Sequence, residues 1–389
     1  MSGVRVSSPV VVVRAPDYQD RNLSRAMEQV FSRLGGVERF VRPGDRVFVK
    51  VNHLPPPSPP ERAIVTHPRF ARAVVEALLS VTPHISVGVD LRTSGRDGFA
   101  VSGYRDAFRD LPVELVHLPE RGYERVSCPG EVLQETYIAR AALEADVVVN
   151  LPKLKTHSLT LFTGGVKNLY GLIPSGLRIR YHGQHPRLEE FCRLLVDIYA
   201  LVRPALTVMD GIVAMEGAGP AGGRPREVGA VIAGADAVAV DAVACRLVGI
   251  PPLSVPTTRL AQDRGLGTAE GTEVVGEDLG ALSSKDFELP PAAPARLVNL
   301  LPRPVSGWAT RQLAPRPLVL PKRCVGCGAC VEACPTGAAG LKGGKARIEA
   351  GRCIRCMCCH EACRYGAIEL RRGRLVELAQ SLGRARSSR

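Results

Sequence analysis

The chain has 389 residues, enough for two or three domains with cores of their own, and its apolar fraction of 45% is that of an ordinary globular protein. The formal charge of +13 is concentrated, because residues 321–389 hold 14 Lys and Arg against 5 Glu, which is +9 of the total. Aromatics are only 5% and are not interleaved with the basic residues as a base-stacking platform needs, so nucleic acid is not the expected partner; no apolar run approaches the roughly 18 residues of a membrane span, and none is expected.

The first 290 residues or so alternate strand and helix signals, the pattern of an α/β fold with a mostly parallel sheet flanked by helices. Val10 to Val13 reads as a buried strand. Leu23, Met27, Val30, Phe31 and Leu34 then share one helical face, which Gly35 and Gly36 stop. Arg46 to Val51 is a second strand, running into Asn52 and a proline-rich loop. Thr66-His67-Pro68 opens a helix lined by Phe70, Val74, Val75, Leu78 and Leu79, and Ile85 to Val89 and Val113 to Val116 are further strands. Asp90 to Gly103 reads as loop, Tyr137 to Glu144 as a short helix, and Asp146 to Asn150 as a buried strand. After a long polar stretch, Phe191 to Val202 has helical spacing, Leu206 to Met209 and Val228 to Ala233 are strands, and Asp236 caps an apolar helix from Ala237 to Val248.

In open α/β sheets ligands collect beyond the carboxyl ends of strands, and the polar residues of this chain cluster there. The stretch LPKLKTHSLTLFTGGVKNLYGLIPSG reads as a long loop with the makings of an anion site: Lys153, Lys155 and Lys167 supply charge, and Thr163, Gly164 and Gly165 offer backbone N–H groups at a helix start, with Asn168 following. No phosphate-loop or dinucleotide fingerprint is present. His157, Asp210 and Glu216 are candidates for moving protons, with Lys155 as a further catalytic candidate. The same His157, Asp210 and Glu216, taken with His182 and His185, also form a residue set suited to a divalent cation. Lys50 with Asn52 is another polar pair at a strand end. Asp241, inside an apolar helix, is either a hydrogen-bonded structural carboxylate or a proton donor.

From Leu289 to Pro321 prolines recur and the single Trp308 appears, which reads as a linker. Beyond it, Cys324, Cys327, Cys330 and Cys334 fit C-x2-C-x2-C-x3-C followed by Pro335, and Cys353, Cys356, Cys359 and Cys363 repeat the spacing with Arg364 in the proline's place. That is the bacterial two-cluster 4Fe–4S pattern, in which the fourth cysteine of each run ligates the other cluster. The expected sets are Cys324, Cys327, Cys330 with Cys363, and Cys353, Cys356, Cys359 with Cys334. Zinc sites more often pair two separated C-x2-C units. Cys358 breaks the spacing and is the spare thiol, while Cys128, Cys192 and Cys245 read as packed small hydrophobes. Two clusters would bring about −4, which the basic C-terminal segment offsets. Free thiols, clusters and the lack of an N-terminal h-region give the cytoplasm as the expected location. The expected organisation is an α/β domain over 1–288, a proline-rich linker over 289–320, a small α+β ferredoxin-like domain over 321–370, and a basic helix and tail over 371–389.

The motifs KVN at 50–52, THP at 66–68, NLPKLKTHSLTLFTGGVKNLYGLIP at 150–174 and MDGIVAMEGAGPAGG at 209–223, with the Asp236/Asp241 helix, resemble a bacterial and archaeal family catalogued as domain of unknown function 362. Members often carry a C-terminal ferredoxin domain, and the resemblance implies an iron–sulfur protein with a redox role but no settled reaction. The leading expectation is an oxidoreductase whose ferredoxin module takes electrons from a redox partner protein and passes them to a substrate or cofactor in the α/β domain. The alternative is a non-catalytic electron-transfer subunit whose α/β domain docks a partner or binds a small anion.

Overall fold

The computed structural model describes residues 9–91, 97–284, 286–290 and 315–371. Most of the expected linker, with Trp308, and the basic helix and tail lie outside the described residues, as does part of the loop after the third strand. Ten strands of the α/β domain form one sheet: β1 (Val10–Arg14), β2 (Val47–Val51), β3 (Ile85–Val89), β4 (Glu114–His117), β5 (Val147–Leu151), β6 (Lys153–His157), β7 (Leu161–Thr163), β8 (Leu206–Glu216), β9 (Arg224–Gly234) and β10 (Val274–Gly276). The main path runs β10-β1-β9-β8-β5-β2-β3-β4, with β6 pairing β8 and β7 pairing β6. Pairs β5–β8, β6–β8, β2–β5, β2–β3, β3–β4 and β1–β10 are parallel, and β9 runs antiparallel to both β1 and β8. A mostly parallel sheet flanked by helices is therefore the fold of this domain.

Strand alternation explains the layering. Val11, Val13, Val47, Val49, Val87 and Val149 face helices α1 (Asp20–Leu34) and α2 (Pro68–Leu79), meeting Leu23, Val30, Phe70 and Val74. Phe48, Val116 and Val148 face the other way, onto Leu194, Ile198 and Val238. These come from α4 (Leu188–Val202) and α5 (Ala237–Leu247), with α3 (Ser175–Gln184) just before them in the chain. Burying each such side chain stabilises the fold by about 1.5–3 kcal/mol, so both helical layers are held by the sheet they cover. Gly35 ends α1 at φ 89°, as its sequence foretells, and Pro68 opens α2.

Beside a helical turn at Gly98–Val101, capped by the Asp97 side chain inside the stretch read as loop, three further elements differ from the sequence reading. The long polar stretch is no loop: β6 and β7 form a hairpin, followed by a helical turn over Gly165–Asn168. Lys153, Lys155 and His157 alternate with Leu154 and Thr156, and all five are buried. Their charges disguise a period-2 strand. Second, the strand expected over Leu206–Met209 continues as β8 to Glu216 because β9 pairs along its length, so Glu216 ends a strand. Third, Glu135–Ala139 is a strand paired with Tyr123–Ser127, and only Arg140–Leu143 is helical. Among the described residues no helix is long and apolar enough to cross a membrane.

The small C-terminal module is α+β. Strand Arg316–Val319 pairs with Ile368–Arg371, so the end of the expected linker belongs to this module. Ala339–Lys342 pairs with Lys345–Ile348, and short helices span Ala329–Glu332 and Cys358–Glu361.

Candidate functional site

The cysteine runs fold as two copies of one motif. In each, a left-handed residue (Gly328 at φ 78°, Met357 at φ 66°) precedes a short helix, and a left-handed glycine (Gly337 at φ 62°, Gly366 at φ 58°) follows the fourth cysteine. Ala338 N–H points at Cys334 Sγ (3.2 Å), Ala367 N–H at Cys363 Sγ (3.2 Å) and Ala346 N–H at Cys324 Sγ (3.3 Å). A side chain at Gly326 would overlap the Gly344 carbonyl. Backbone donors aimed at sulfur and glycines that let the chain approach suit a sulfide-bridged cluster held by thiolates. Cys330 lies among Cys324, Cys327 and Cys363, while Cys353 lies beside Cys356 and Cys334. Cys358 occupies the position of Ala329 in the first copy, which explains why it has no counterpart.

This module docks on the carboxyl ends of the sheet strands. His360 is within 3.0 Å of the Ala218 carbonyl through Nε2, and Arg62 donates to the carbonyls of Arg364 and Ala221, both at 3.2 Å. Gly222 lets the module come close, since a Cβ there would overlap the His360 ring. Between the two domains lies a cavity of about 890 Å³. The α/β domain lines it with Lys50, His53, Lys155, Thr163, Lys167 and Arg178, and the module with Cys327, Cys358 and Glu361. The Pro55–Pro59 loop, Tyr170 and Tyr365 supply its apolar walls.

Lys155 is the best-placed of the sequence candidates. Its ammonium donates to Asn52 Oδ1 (2.8 Å) and the Ile64 carbonyl (2.8 Å). Asn52 in turn donates to Asn168 Oδ1 (3.3 Å), Asn168 to Asn150 Oδ1 (2.8 Å), and Asn150 to the Gly165 carbonyl (3.0 Å). Asn168 thus serves by holding Asn52. Burial, followed by the nearby Lys167, pulls the Lys155 ammonium down to about 7. Burial does the same to Lys50, again to about 7, with Arg178 adding repulsion. Lys50 donates to the Val51 carbonyl at 2.6 Å. Lys167 reaches over the Tyr170 ring at 6.0 Å.

Several expected site residues are committed elsewhere. Lys153 pairs with Asp210 at 2.7 Å, both buried, and Tyr18 hydrogen-bonds each of them (2.8 and 2.9 Å). His67 stacks on Tyr18 at 3.7 Å and donates its backbone N–H to Asp210 at 2.9 Å. Asp210 is thereby locked and does not line the cavity. Glu216 accepts from Arg224 (2.7 Å) and the Glu288 N–H (2.9 Å); burial alone would raise its carboxyl, but these partners hold it lower than usual. Of the N–H groups expected to hold an anion, that of Gly165 instead donates to Asp241 (2.5 Å), as does the N–H of Val166 (3.1 Å). Gly164 is needed because a side chain there would overlap the Asp241 carboxyl. Asp241 is therefore the structural carboxylate, although burial raises it to about 7. His157 accepts N–H bonds from Leu159 and Thr160 at Nδ1, and its Nε2 lies 3.3 Å from Glu361 without hydrogen-bond alignment. Burial keeps its ring neutral, well below the ordinary histidine range.

The residues suited to a divalent cation do not converge. His182 stacks on Phe191 at 4.2 Å, His185 pairs with Glu190 at 2.8 Å, and Asp210 and Glu216 have the partners above. Sequence reasoning missed Tyr18, His53, Arg178 and Glu361. Only His53 had a signal, as the residue after Asn52 at a strand end.

An iron–sulfur module docked on a polar strand-end cavity defines the class of protein. The family described as Domain of unknown function (DUF362) matches residues 47–246, and a 4Fe-4S binding domain matches residues 317–339. The thylakoid-associated protein sll1697 of Synechocystis sp. is 32% identical over 259 residues, spanning 66% of this chain and 79% of that protein. The chain belongs to the domain-of-unknown-function 362 family, and its C-terminal module binds iron and sulfur. Among solved structures, the lactate racemase apoprotein of Thermoanaerobacterium thermosaccharolyticum aligns over 59% of this chain and 54% of its own length, at 13% identity and a TM-score of 0.36. A protein from Thermotoga maritima aligns over 52% of each chain, at 14% identity and a TM-score of 0.33. This chain thus spans about half the length of both.

Proposed function

We propose that the protein is an oxidoreductase in which two 4Fe–4S clusters, held by the crossed cysteine sets, serve a small anionic substrate or cofactor bound in the cavity between the domains. The observation that carries this reading is the shared lining: Lys50, Lys155 and Arg178 of the α/β domain face the same space as Cys327 and Cys358 of the module. The adjacency of Cys363 to the first run and of Cys334 to the second supports the crossed pairing. When assembled, the clusters would supply single electrons, drawn from a redox partner protein. The chain's own residues do the rest. Lys155, fixed by Asn52 and Ile64, presents a proton to the substrate at an acidity suited to neutral pH, while Lys50 and Lys167 offset the substrate's negative charge. The Pro55–Pro59 loop and Tyr170 exclude water around it. His157, Asp210 and Glu216 act as positioning residues, and the cytoplasm is the proposed location.

Anaerobic reconstitution with iron and sulfide tests the first part: about eight irons per chain with a reducible paramagnetic signal are expected, whereas bound zinc without that signal would refute it. For the second part, photoreduced holoprotein is mixed with fractions of an anaerobic small-molecule extract. One fraction should reoxidise the wild type and fail with Lys155→Met, whose clusters still reduce. Equal reoxidation of both proteins would leave the non-catalytic carrier as the correct reading.

A further inference from the structure

The charges around the cavity do not balance. Five cations face it from the α/β domain, namely Lys50, Arg62, Lys155, Lys167 and Arg178, of which Arg62 is bonded to the Arg364 and Ala221 carbonyls. Asp90, buried beneath, forms a short ion pair with Arg178 and is felt at a distance by Lys50. The module adds Glu332 and Glu361 to the lining, and Glu361 is felt by Lys167 and, more weakly than Lys167's own charge, by Lys155. Lys50 and Lys155 are left with only neutral oxygen partners, the Val51 carbonyl for one and Asn52 and Ile64 for the other. A buried, unpaired ammonium is costly, and a fold that keeps two beside one cavity needs a counter-charge.

The cavity also holds polar groups with nothing to bond. On the α/β side both ring nitrogens of His53, Thr163 Oγ1 and Arg178 Nε are buried without hydrogen-bond partners and all three residues line it, while on the module side Glu361 Oε1, near Lys167, is the one acceptor among them without a donor. Such orphans are uncommon in folded proteins, and in a cavity of this size they are groups that a bound ligand or ordered water would satisfy. Those of the α/β domain fall into two groups. His53 and Arg178 accompany Lys50, whose ammonium has room only because residue 171 is glycine. Thr163 lies directly across the β6–β7 hairpin from Lys155. The proline loop and Tyr170 form an apolar wall, and the volume of about 890 Å³ is that of a site for a small molecule.

Building on the redox reading above, we propose that the cavity holds a small organic dianion, with one anionic group met by Lys50, His53 and Arg178 and the other by Lys155, Lys167 and Thr163. A dicarboxylic acid or a phosphorylated acid has this chemistry; a neutral or cationic substrate does not.

The test is equilibrium binding to full-length holoprotein, read by calorimetry with succinate, succinamate and butyrate as probes. Succinate should bind saturably at one site, and the two monoanions about tenfold or more weaker, the loss expected for one charge pair. In Lys50→Met and Lys155→Met that preference should vanish, while the thermal midpoint of the ligand-free protein rises by about 2–4 °C because an unpaired buried charge has gone. No saturable succinate binding, or equal binding of succinate and succinamate, overturns the proposal. So do methionine variants that lose stability and keep the preference. Binding with the expected pattern in a protein whose clusters cannot be reduced would preserve the dianion and remove the redox reading instead.

Discussion

In the C-terminal module the ligands of each proposed cluster come mostly from one short run of chain, while in the α/β domain the site is assembled from far apart. Lys155 is held by Asn52, 103 positions earlier, and Asn52 by Asn168, 116 positions later. Lys153 and Asp210 meet across 57 positions, and Tyr18 joins them from the first connection of the fold. A local site announces its chemistry in its spacing. An assembled site depends on which neighbours the sheet brings, and here it sorts lysines that look alike into different jobs. Lys153 is neutralised by Asp210 and does not line the cavity; Lys155, two residues on along the same strand face, has no carboxylate hydrogen-bonded to it and lines the cavity.

The largest effect should come from breaking the local site. Cys363→Ala is expected to lose about half of the bound iron, because it serves the run opposite its own, whereas Cys358→Ala should keep all of it; iron analysis after anaerobic purification decides between them. Next is the buried pair. Asp210→Asn leaves Lys153 uncompensated and should cost about 3–5 kcal/mol in a denaturant titration, with Lys153→Met added to it restoring much of that loss.

The pH dependence is a smaller test. Lys50 and Lys155 sit at about 7 when folded and ordinarily near 10.5. The folded state therefore binds fewer protons than the unfolded one between those values. Stability should rise with pH from about 7 to 10.5 and be lost again as pH falls toward 7, and either methionine variant should flatten the slope. The smallest effect is expected at the domain contact. Gly222→Ala forces its new methyl against the His360 ring, which should loosen the module without changing iron content, visible as faster proteolysis at the junction. Unchanged proteolysis would mean that the docking does not depend on that close approach.

Much of the framework was legible because it obeys local rules. The valine strands, the Gly35 stop, the Pro68 start and the Asp236 cap follow from periodicity and end chemistry, and the cysteine runs from their spacing. The β6–β7 hairpin was not legible, because a strand of alternating lysines is stable only when other segments bury and satisfy it. For the same reason Gly164 and Gly165 looked like an anion loop. The N–H groups of Gly165 and Val166 are taken by Asp241, 76 and 75 positions away, which no local pattern reveals. Arg178 and Glu361 reach the cavity from elements whose docking the sequence does not express.

The measurement that bears most directly on the account is electron paramagnetic resonance of the reduced, reconstituted protein with and without succinate. Two interacting cluster signals are expected, and succinate should perturb at least one of them, since Cys327 and Cys358 border the cavity it would fill. The perturbation should be absent in Lys155→Met. A single cluster signal, or spectra that succinate leaves unchanged while calorimetry shows it bound, would contradict the claim that the electron path ends at this cavity.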